Sequence, residues 1–242
     1  MDKIGIFIPC FINKVEPEIG LKAVEILKKL NINFVIPKNQ TCCGQPFFNS
    51  GYQNETIPFA KNFIKAFDKL ELKNIIILSS SCYGFIKNHY TKLKLKEKYL
   101  TKFKEIQNKI IDYYEFLDKH LPQNFEFKNK TEKAYLHPSC HLLREAKVYK
   151  NLKNLLSRID ELVLYEEEQP FCCGFGGTFS IKEKEISVEM AKRKFQMAKE
   201  SNADLMLIPD TSCFIHLDSF QKKNKTELKI KNVIEYLYEK II

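Results

Sequence analysis

Eight cysteines dominate the chemistry open to this sequence, and they fall into two sets with the same spacing. Cys10 is followed by 31 residues, the pair Cys42-Cys43, 38 residues and then Cys82. Cys140 is followed by 31 residues, the pair Cys172-Cys173, 39 residues and then Cys213. The offset between matching cysteines is 130 residues for three of them and 131 for the last. Glycine follows each pair, in TCCGQPFFNSG at 41–51 and FCCGFGGTFS at 171–180. Each last cysteine closes an apolar run and a polar turn, IIILSSSC at 75–82 and LMLIPDTSC at 205–213. Matched sets of this kind mark an internal duplication and not eight unrelated core thiols.

Four thiolates converging on one point suit a tetrahedral zinc or an iron–sulfur cluster. Structural zinc sites present two short pairs of ligands separated by a few residues, whereas each set here has adjacent cysteines and two isolated ones. Neighbouring residues chelate one small ion poorly but can bind different atoms of a larger cluster. An iron–sulfur cluster, [4Fe-4S] and one or two in number, is therefore expected, with zinc in one half as the alternative. The metal ligands are Cys10, Cys42, Cys43 and Cys82 in one half and Cys140, Cys172, Cys173 and Cys213 in the other. Gly44, Gly174, Gly176 and Gly177 are expected to bring backbone N–H groups close to the cofactor, which tunes its potential.

The elements that must position these residues alternate between strand and helix. KIGIFIPC (3–10), NFVIP (33–37) and NIIILSS (74–80) read as strands, with helices over 18–30 and 54–70. The second half repeats the order: KAYLHPSC, a helix near 142–159, ELVLY, a helix near 184–200 and ADLMLIP. Alternation of this kind predicts an α/β fold of two pseudo-symmetric, Rossmann-like βαβ halves with parallel sheets. Every cysteine then lies just past the carboxyl end of a strand, where open α/β sheets bind ligands. Residues 1–131 form the first module, with 91–130 read as bridging helices, and 132–242 form the second. Ile230, Val233, Leu237 and Ile241 fall at helical spacing in the tail.

Composition narrows the function classes. The formal charge of +9 is carried mainly by residues 1–131, whose net is +8 against +1 for 132–242. Only three of the 39 cations are arginine, and the lysines are scattered without aromatic interleaving, so nucleic acid is not expected as a partner. The lysines read as solvated helix faces or, more sharply, as a docking face for an acidic partner. No apolar run reaches the roughly 20 residues of a transmembrane helix. MDKIGIFIPCF reads as a first strand and not a signal peptide, which points to the cytoplasm, where thiols stay reduced. Neither a GxGxxG fingerprint behind a strand nor a P-loop is present, which disfavours a direct nucleotide role.

Four stretches together, QTCCGQPFFNSGY (40–52), SSSCYGFIKNHY (79–90), PSCHLLRE (138–145) and CCGFGGTFSIK (172–182), resemble the cysteine-rich CCG-domain family over essentially the full length. That family includes the B component of heterodisulfide reductase, the C component of anaerobic glycerol-3-phosphate dehydrogenase and the iron–sulfur component of glycolate oxidase; the resemblance is nearest to its lactate-utilisation members. It implies an iron–sulfur electron-transfer subunit of a non-flavin L-lactate dehydrogenase system oxidising a small 2-hydroxy acid. Its partners would be a ferredoxin-like iron–sulfur subunit and a third small subunit, with any membrane association peripheral and through them. Glycolate, glycerol 3-phosphate or a heterodisulfide are alternative substrates, and a zinc-bound scaffold is an alternative role. The sequence departs from the family's motif at the final CxxC, because Cys82 is followed by Tyr83-Gly84-Phe85 and Cys213 by Phe214-Ile215-His216. Four thiols per module leave a cubane or smaller site open beside the family's five-thiol, non-cubane cluster.

His216 stands where the missing fifth cysteine would be and is read as a ligand or as a residue facing solvent or a partner. His137 and His141 flank Cys140 and are read as a proton relay, a contact to a hydroxy acid or hydrogen bonds within their loop. Arg144 is read as a clamp on a substrate carboxylate or an ordinary helix ion pair. These imidazoles, and the Gly176-Gly177 turn in place of Gln45-Pro46, predict that the second half holds the functionally critical cluster.

Overall fold

A computed structural model describes residues 3–128, 130–167 and 169–242. The chain divides into two compact units, Met1–Leu121 and Pro122–Ile242. Strands in the first are β1 (Ile4–Phe7), β2 (Phe34–Val35), β3 (Asn74–Ile77) and β4 (Ile110–Asp112), all parallel, in the order β2-β1-β3-β4. Its helices are α1 (Cys10–Lys14), α2 (Pro17–Lys29), α3 (Gln45–Asn49), α4 (Gln53–Phe67), α5 (Ser80–His89), α6 (Glu97–Gln107) and α7 (Tyr113–His120). The second unit repeats the plan with β5 (Glu132–Leu136), β6 (Leu162–Glu166), β7 (Leu205–Ile208) and β8 (Lys229–Asn232), ordered β6-β5-β7-β8. Its helices are α8 (Tyr149–Leu156), α9 (Phe179–Lys182), α10 (Lys184–Glu200), α11 (Thr211–Asn224) and α12 (Val233–Ile241), with a π-helical turn at His141–Ala146. The expected α/β fold of two parallel-sheet halves is therefore observed.

Continuous apolar strands make these sheets possible. Ile4, Ile6 and Phe7 of β1 and Ile75, Ile76 and Ile77 of β3 are buried, as suits parallel strands covered on both faces. Each amphipathic helix turns one stripe inward; in α2 this is Ile19, Ala23, Ile26 and Leu27. Three helices that leave strands are capped by side chains: Asp112 accepts from Tyr114 N, Asp210 from Ser212 N and Asn232 from Ile234 N.

Elements in both units differ from the sequence reading. Residues 91–130, read as bridging helices, also contain β4, three residues long and set between charged helices. Ile230 belongs to β8 and not to the tail helix, which begins at Val233. Each sheet thus has four strands, and its order reverses between the first and third strands of the unit. The carboxyl ends of those two strands flank the crevice in which open α/β sheets place ligands.

Candidate metal centres

In the first unit the cysteines arrive from three chain segments. Cys10 opens α1 three residues beyond β1, Cys82 lies in the first turn of α5 beyond β3, and Cys42-Cys43 end the loop from β2. Gln40 fixes that loop by acting as a substitute strand, its Oε1 accepting from Ile8 N at 2.7 Å and its Nε2 donating to Ile6 O at 2.8 Å. Asn62 of α4 donates to Asn39 O and Thr41 Oγ1. The buried Tyr90 hydroxyl donates to Cys43 O at 2.7 Å. Together these contacts bring Cys43 Sγ to 3.2 Å from Cys82 Sγ.

The four thiols interact as a set. Hydrogen bonds from Cys10 and Cys43, helped by Gly44 N at 3.3 Å, hold the Cys42 thiol down to about 3. Cys10 is pushed up, first by its bond to Cys42 and then by burial. A ready thiolate amid neighbouring thiols is the state that captures a metal, with proton release completing the set. Cys43 and Cys82 are buried, whereas Cys10 and Cys42 remain partly accessible.

The second unit builds the same quartet. Cys172 is held down to about 2 by Cys140 and then Cys173, with Gly174 N at 3.4 Å from its sulfur. Cys213 in α11 is lowered to about 6, by Cys173 first and with help from His137 against its burial. Cys213 Sγ faces Ser139 Oγ at 3.8 Å, and Cys140 Sγ lies 3.7 Å from His141 Nδ1. The glycine after each pair is required by geometry. Gly44 and Gly174 have φ of +90° and +97°, in the left-handed region. A Cβ on Gly44 would sit 2.9 Å from Thr56 Cγ2, and one on Gly174 2.6 Å from the Ser187 carbonyl oxygen. Gly176 and Gly177, also at positive φ, shape the turn into α9, and Gly177 O accepts from Ser180 Oγ.

Beneath this second quartet lies a buried charged group that the sequence alone does not announce. Glu167, one residue beyond β6, pairs with Lys194 of α10, and both side chains are wholly shielded from solvent. Glu167 Oε2 also accepts from Phe171 N at 3.2 Å, fixing the approach to Cys172. His137 Nδ1 lies 3.6 Å from Glu167 Oε1. Burial pushes the Glu167 carboxyl up, but His137 and Lys194 together hold it down to about 2. Lys194 itself is lowered by burial against the pull of Glu167, and its ammonium sits 3.6 Å above the Phe171 ring centre. A lysine on the apolar stripe of α10, between Ala191 and Ala198, is the sequence signal that marks this group.

The remaining candidates are placed as follows. His216 is half-buried, with Nε2 3.4 Å from Ser187 Oγ, which donates to Gly174 O at 2.8 Å. It therefore braces the loop after the cysteine pair. Arg144 donates to Pro170 O at 3.2 Å, tying the π-helical turn to the approach to the cysteine pair. Among the described residues, the His, Cys and acidic ligand atoms close enough for one metal are those of His137, Cys173 and Cys213, all within 4.8 Å of one another. With four sulfurs per unit, backbone N–H groups on Cys42 and Cys172, and a buried imidazole, the residues present fit a thiolate-held metal group.

The cysteine-rich domain family model matches residues 4–87 and 134–218. The chain is 32% identical over 240 residues to lactate utilization protein A from Macrococcus caseolyticus, covering 99% of this chain and 97% of that one. It is 31% identical over 239 residues to lactate utilization protein A 2 from Bacillus cereus, covering 97% of each. Among solved structures, glutamate racemase RacE1 from Bacillus anthracis aligns with a TM-score of 0.41 and 14% identity over 98% of this chain and 79% of that chain. Among the described residues no helix is long and apolar enough to cross a membrane. Two matched domains, each built around its own cysteine quartet, place this chain in the cysteine-rich CCG-domain family, together with the lactate utilization A proteins.

Proposed function

We propose that this chain is the iron–sulfur electron-transfer subunit of a lactate-utilisation system that oxidises L-lactate to pyruvate, with Cys10, Cys42, Cys43 and Cys82, and Cys140, Cys172, Cys173 and Cys213, as the cluster ligands. The observation that carries this reading is the gathering of two complete quartets at the sheet edges in a chain related over its whole length to the lactate utilization A proteins. An iron–sulfur cluster, when bound, accepts and passes single electrons.

The chain's own residues supply the rest. Two sulfurs of each quartet are buried and two are partly accessible, which holds the group while leaving an edge open for electron exchange. Gly44 N and Gly174 N stabilise the negative charge of Cys42 and Cys172. Exposed apolar side chains border each loop, Phe47 and Tyr52 in the first unit and Ile181 and Ile186 in the second. They suit transient docking of a ferredoxin-like partner, with a third small subunit completing the system. Residues 1–131 and 132–242 are the two functional modules.

Anaerobic purification with iron and sulfide analysis and electron paramagnetic resonance tests the reading. Up to two [4Fe-4S] clusters, reduced by lactate only when the partner subunits are present, are expected. Zinc without sulfide in both units would overturn electron transfer and favour a scaffold.

A further inference from the structure

We propose that His137 is a ligand of the metal group in the second unit, binding through Nε2 while Nδ1 faces Glu167. This inference rests on the reading of the cysteine quartets as metal sites.

His137 is completely buried, yet among the described residues neither ring nitrogen has a partner at hydrogen-bond distance. Buried polar atoms left unsatisfied cost roughly 1–3 kcal/mol each, so such a residue requires a reason. Its position supplies one, because a ring nitrogen and the sulfurs of Cys173 and Cys213 lie within 4.8 Å of one another. On the other side of the ring, Glu167 Oε1 stands 3.6 Å from Nδ1 and is itself held by Lys194. A carboxylate behind an imidazole is the arrangement that orients metal-bound histidines and fixes their tautomer. Metal at Nε2 and a shortened contact at Nδ1 would satisfy both orphaned atoms at once.

The fold does not itself need a histidine here. By the 130-residue offset that relates Cys10 to Cys140, the matching residue in the first unit is Phe7. Helix α10 is offset from α4 by 131, since Gly174 would meet Ser187 and Met190 where Gly44 would meet Thr56 and Phe59. Lys194 therefore matches Phe63, and Phe7 and Phe63 form an edge-on ring pair with centres 5.3 Å apart. The second unit has put an imidazole, a carboxylate and an ammonium where the first has two phenyl rings. The two sites consequently differ in kind: all-thiolate in the first unit, thiolate plus imidazole in the second. Exchange of thiolate for imidazole raises the potential of an iron–sulfur site, so replacing His137 by cysteine should lower it.

The full chain, grown with ¹⁵N-histidine and loaded anaerobically with iron and sulfide, tests this by pulsed electron paramagnetic resonance. A strongly coupled histidine nitrogen is expected in the wild type. It should persist in the double variant H141Q/H216Q, which leaves His137 as the one histidine of residues 122–242. In H137C, which puts a sulfur donor in place of the imidazole, the coupling should vanish, iron content should be kept and the midpoint potential of one site should fall. Iron uptake without a coupled nitrogen in the wild type or the double variant, or coupling that survives in H137C, would overturn the inference alone. No iron uptake would overturn the cysteine reading and the inference with it.

Discussion

The two units share strand order, cysteine placement and the glycine after each pair, yet beneath the sulfurs they bury opposite materials. Phe7 and Phe63 pack as rings under the first quartet, whereas His137, Glu167 and Lys194 occupy the corresponding ground under the second. The aromatic pair stabilises by burial and by its edge-to-face geometry, and it offers no atom that could bind a metal. Replacing a buried ion pair by apolar packing is often neutral or stabilising, so Glu167 and Lys194 are weak evidence for added stability in the second unit. A duplicated scaffold can thus keep one site plain and specialise the other.

The largest effect that separates the units should appear in function. Cys172→Ala is expected to lower lactate-dependent electron transfer by the assembled complex about a hundredfold or more, and Cys42→Ala to lower it less. Each variant should lose metal from its own unit, as read by iron content. An unimpaired Cys172→Ala beside an inactive Cys42→Ala would reverse the comparison.

Stability offers the next contrast. Lys194→Met strands the Glu167 carboxylate in the core and should destabilise the second unit by about 3–5 kcal/mol. The double variant Glu167→Gln/Lys194→Met removes both charges and should recover much of that loss in denaturant unfolding of the metal-free chain. Equal losses in single and double variants would mean that the pair is not coupled.

Acidity should act on the units in opposite directions. Glu167 has its folded pKa depressed to about 2, so the stability it lends is fully present above the unfolded value near 4.5 and is lost as pH falls toward 2. Asp112 in the first unit is raised to about 7 by burial, against the hydrogen bonds from Ser80 and the backbone. Between about 4 and 7 its folded form holds the extra proton, so the first unit loses stability as pH rises through that window. Neither slope can exceed about 1.4 kcal/mol per pH unit. Hydrogen exchange resolved by segment would read both, and Asp112→Asn, which copies Asn232 at the matching cap, should flatten the first.

Smallest of all is the contrast between the glycines. Gly44→Ala and Gly174→Ala each take on a left-handed backbone at about 1–2 kcal/mol. Gly174→Ala should cost more, because its methyl would come to 2.6 Å from the Ser187 backbone carbonyl, closer than the 2.9 Å from Thr56 Cγ2 that Gly44→Ala would meet. Thermal unfolding of the two variants checks the order.

Much of this is legible in the residues themselves. Spacing of the cysteines discloses the duplication, and unbroken apolar runs such as Ile75–Leu78 mark the central strands. Strand β8 is disguised because Lys229 and Lys231 alternate with Ile230, while Ile230 also falls in phase with the helix that follows. Apolar spacing predicts one continuous helix over 142–159, but Lys147 takes a left-handed backbone and separates the π-helical turn from α8. The buried ionic group is hidden for another reason. Glu167 and Lys194 look like surface charges until the repeat is laid on itself and Lys194 falls opposite Phe63. Motif position singles out His216 as a stand-in for a ligand and puts His137 and His141 beside Cys140, but that the His137 ring nitrogen lies within 4.8 Å of the sulfurs of Cys173 and Cys213 is seen only in three dimensions.

Each quartet is gathered wholly inside its own unit, and this bears on how the protein is made. All ligands of the first site precede residue 83, and the unit that shapes them ends at Leu121. Synthesis runs from the amino end and domains fold as they emerge, so the first unit can receive its metal while the second is still being translated. On the proposed ligand assignment the two sites form independently, and neither unit needs a cysteine from the other to complete its set.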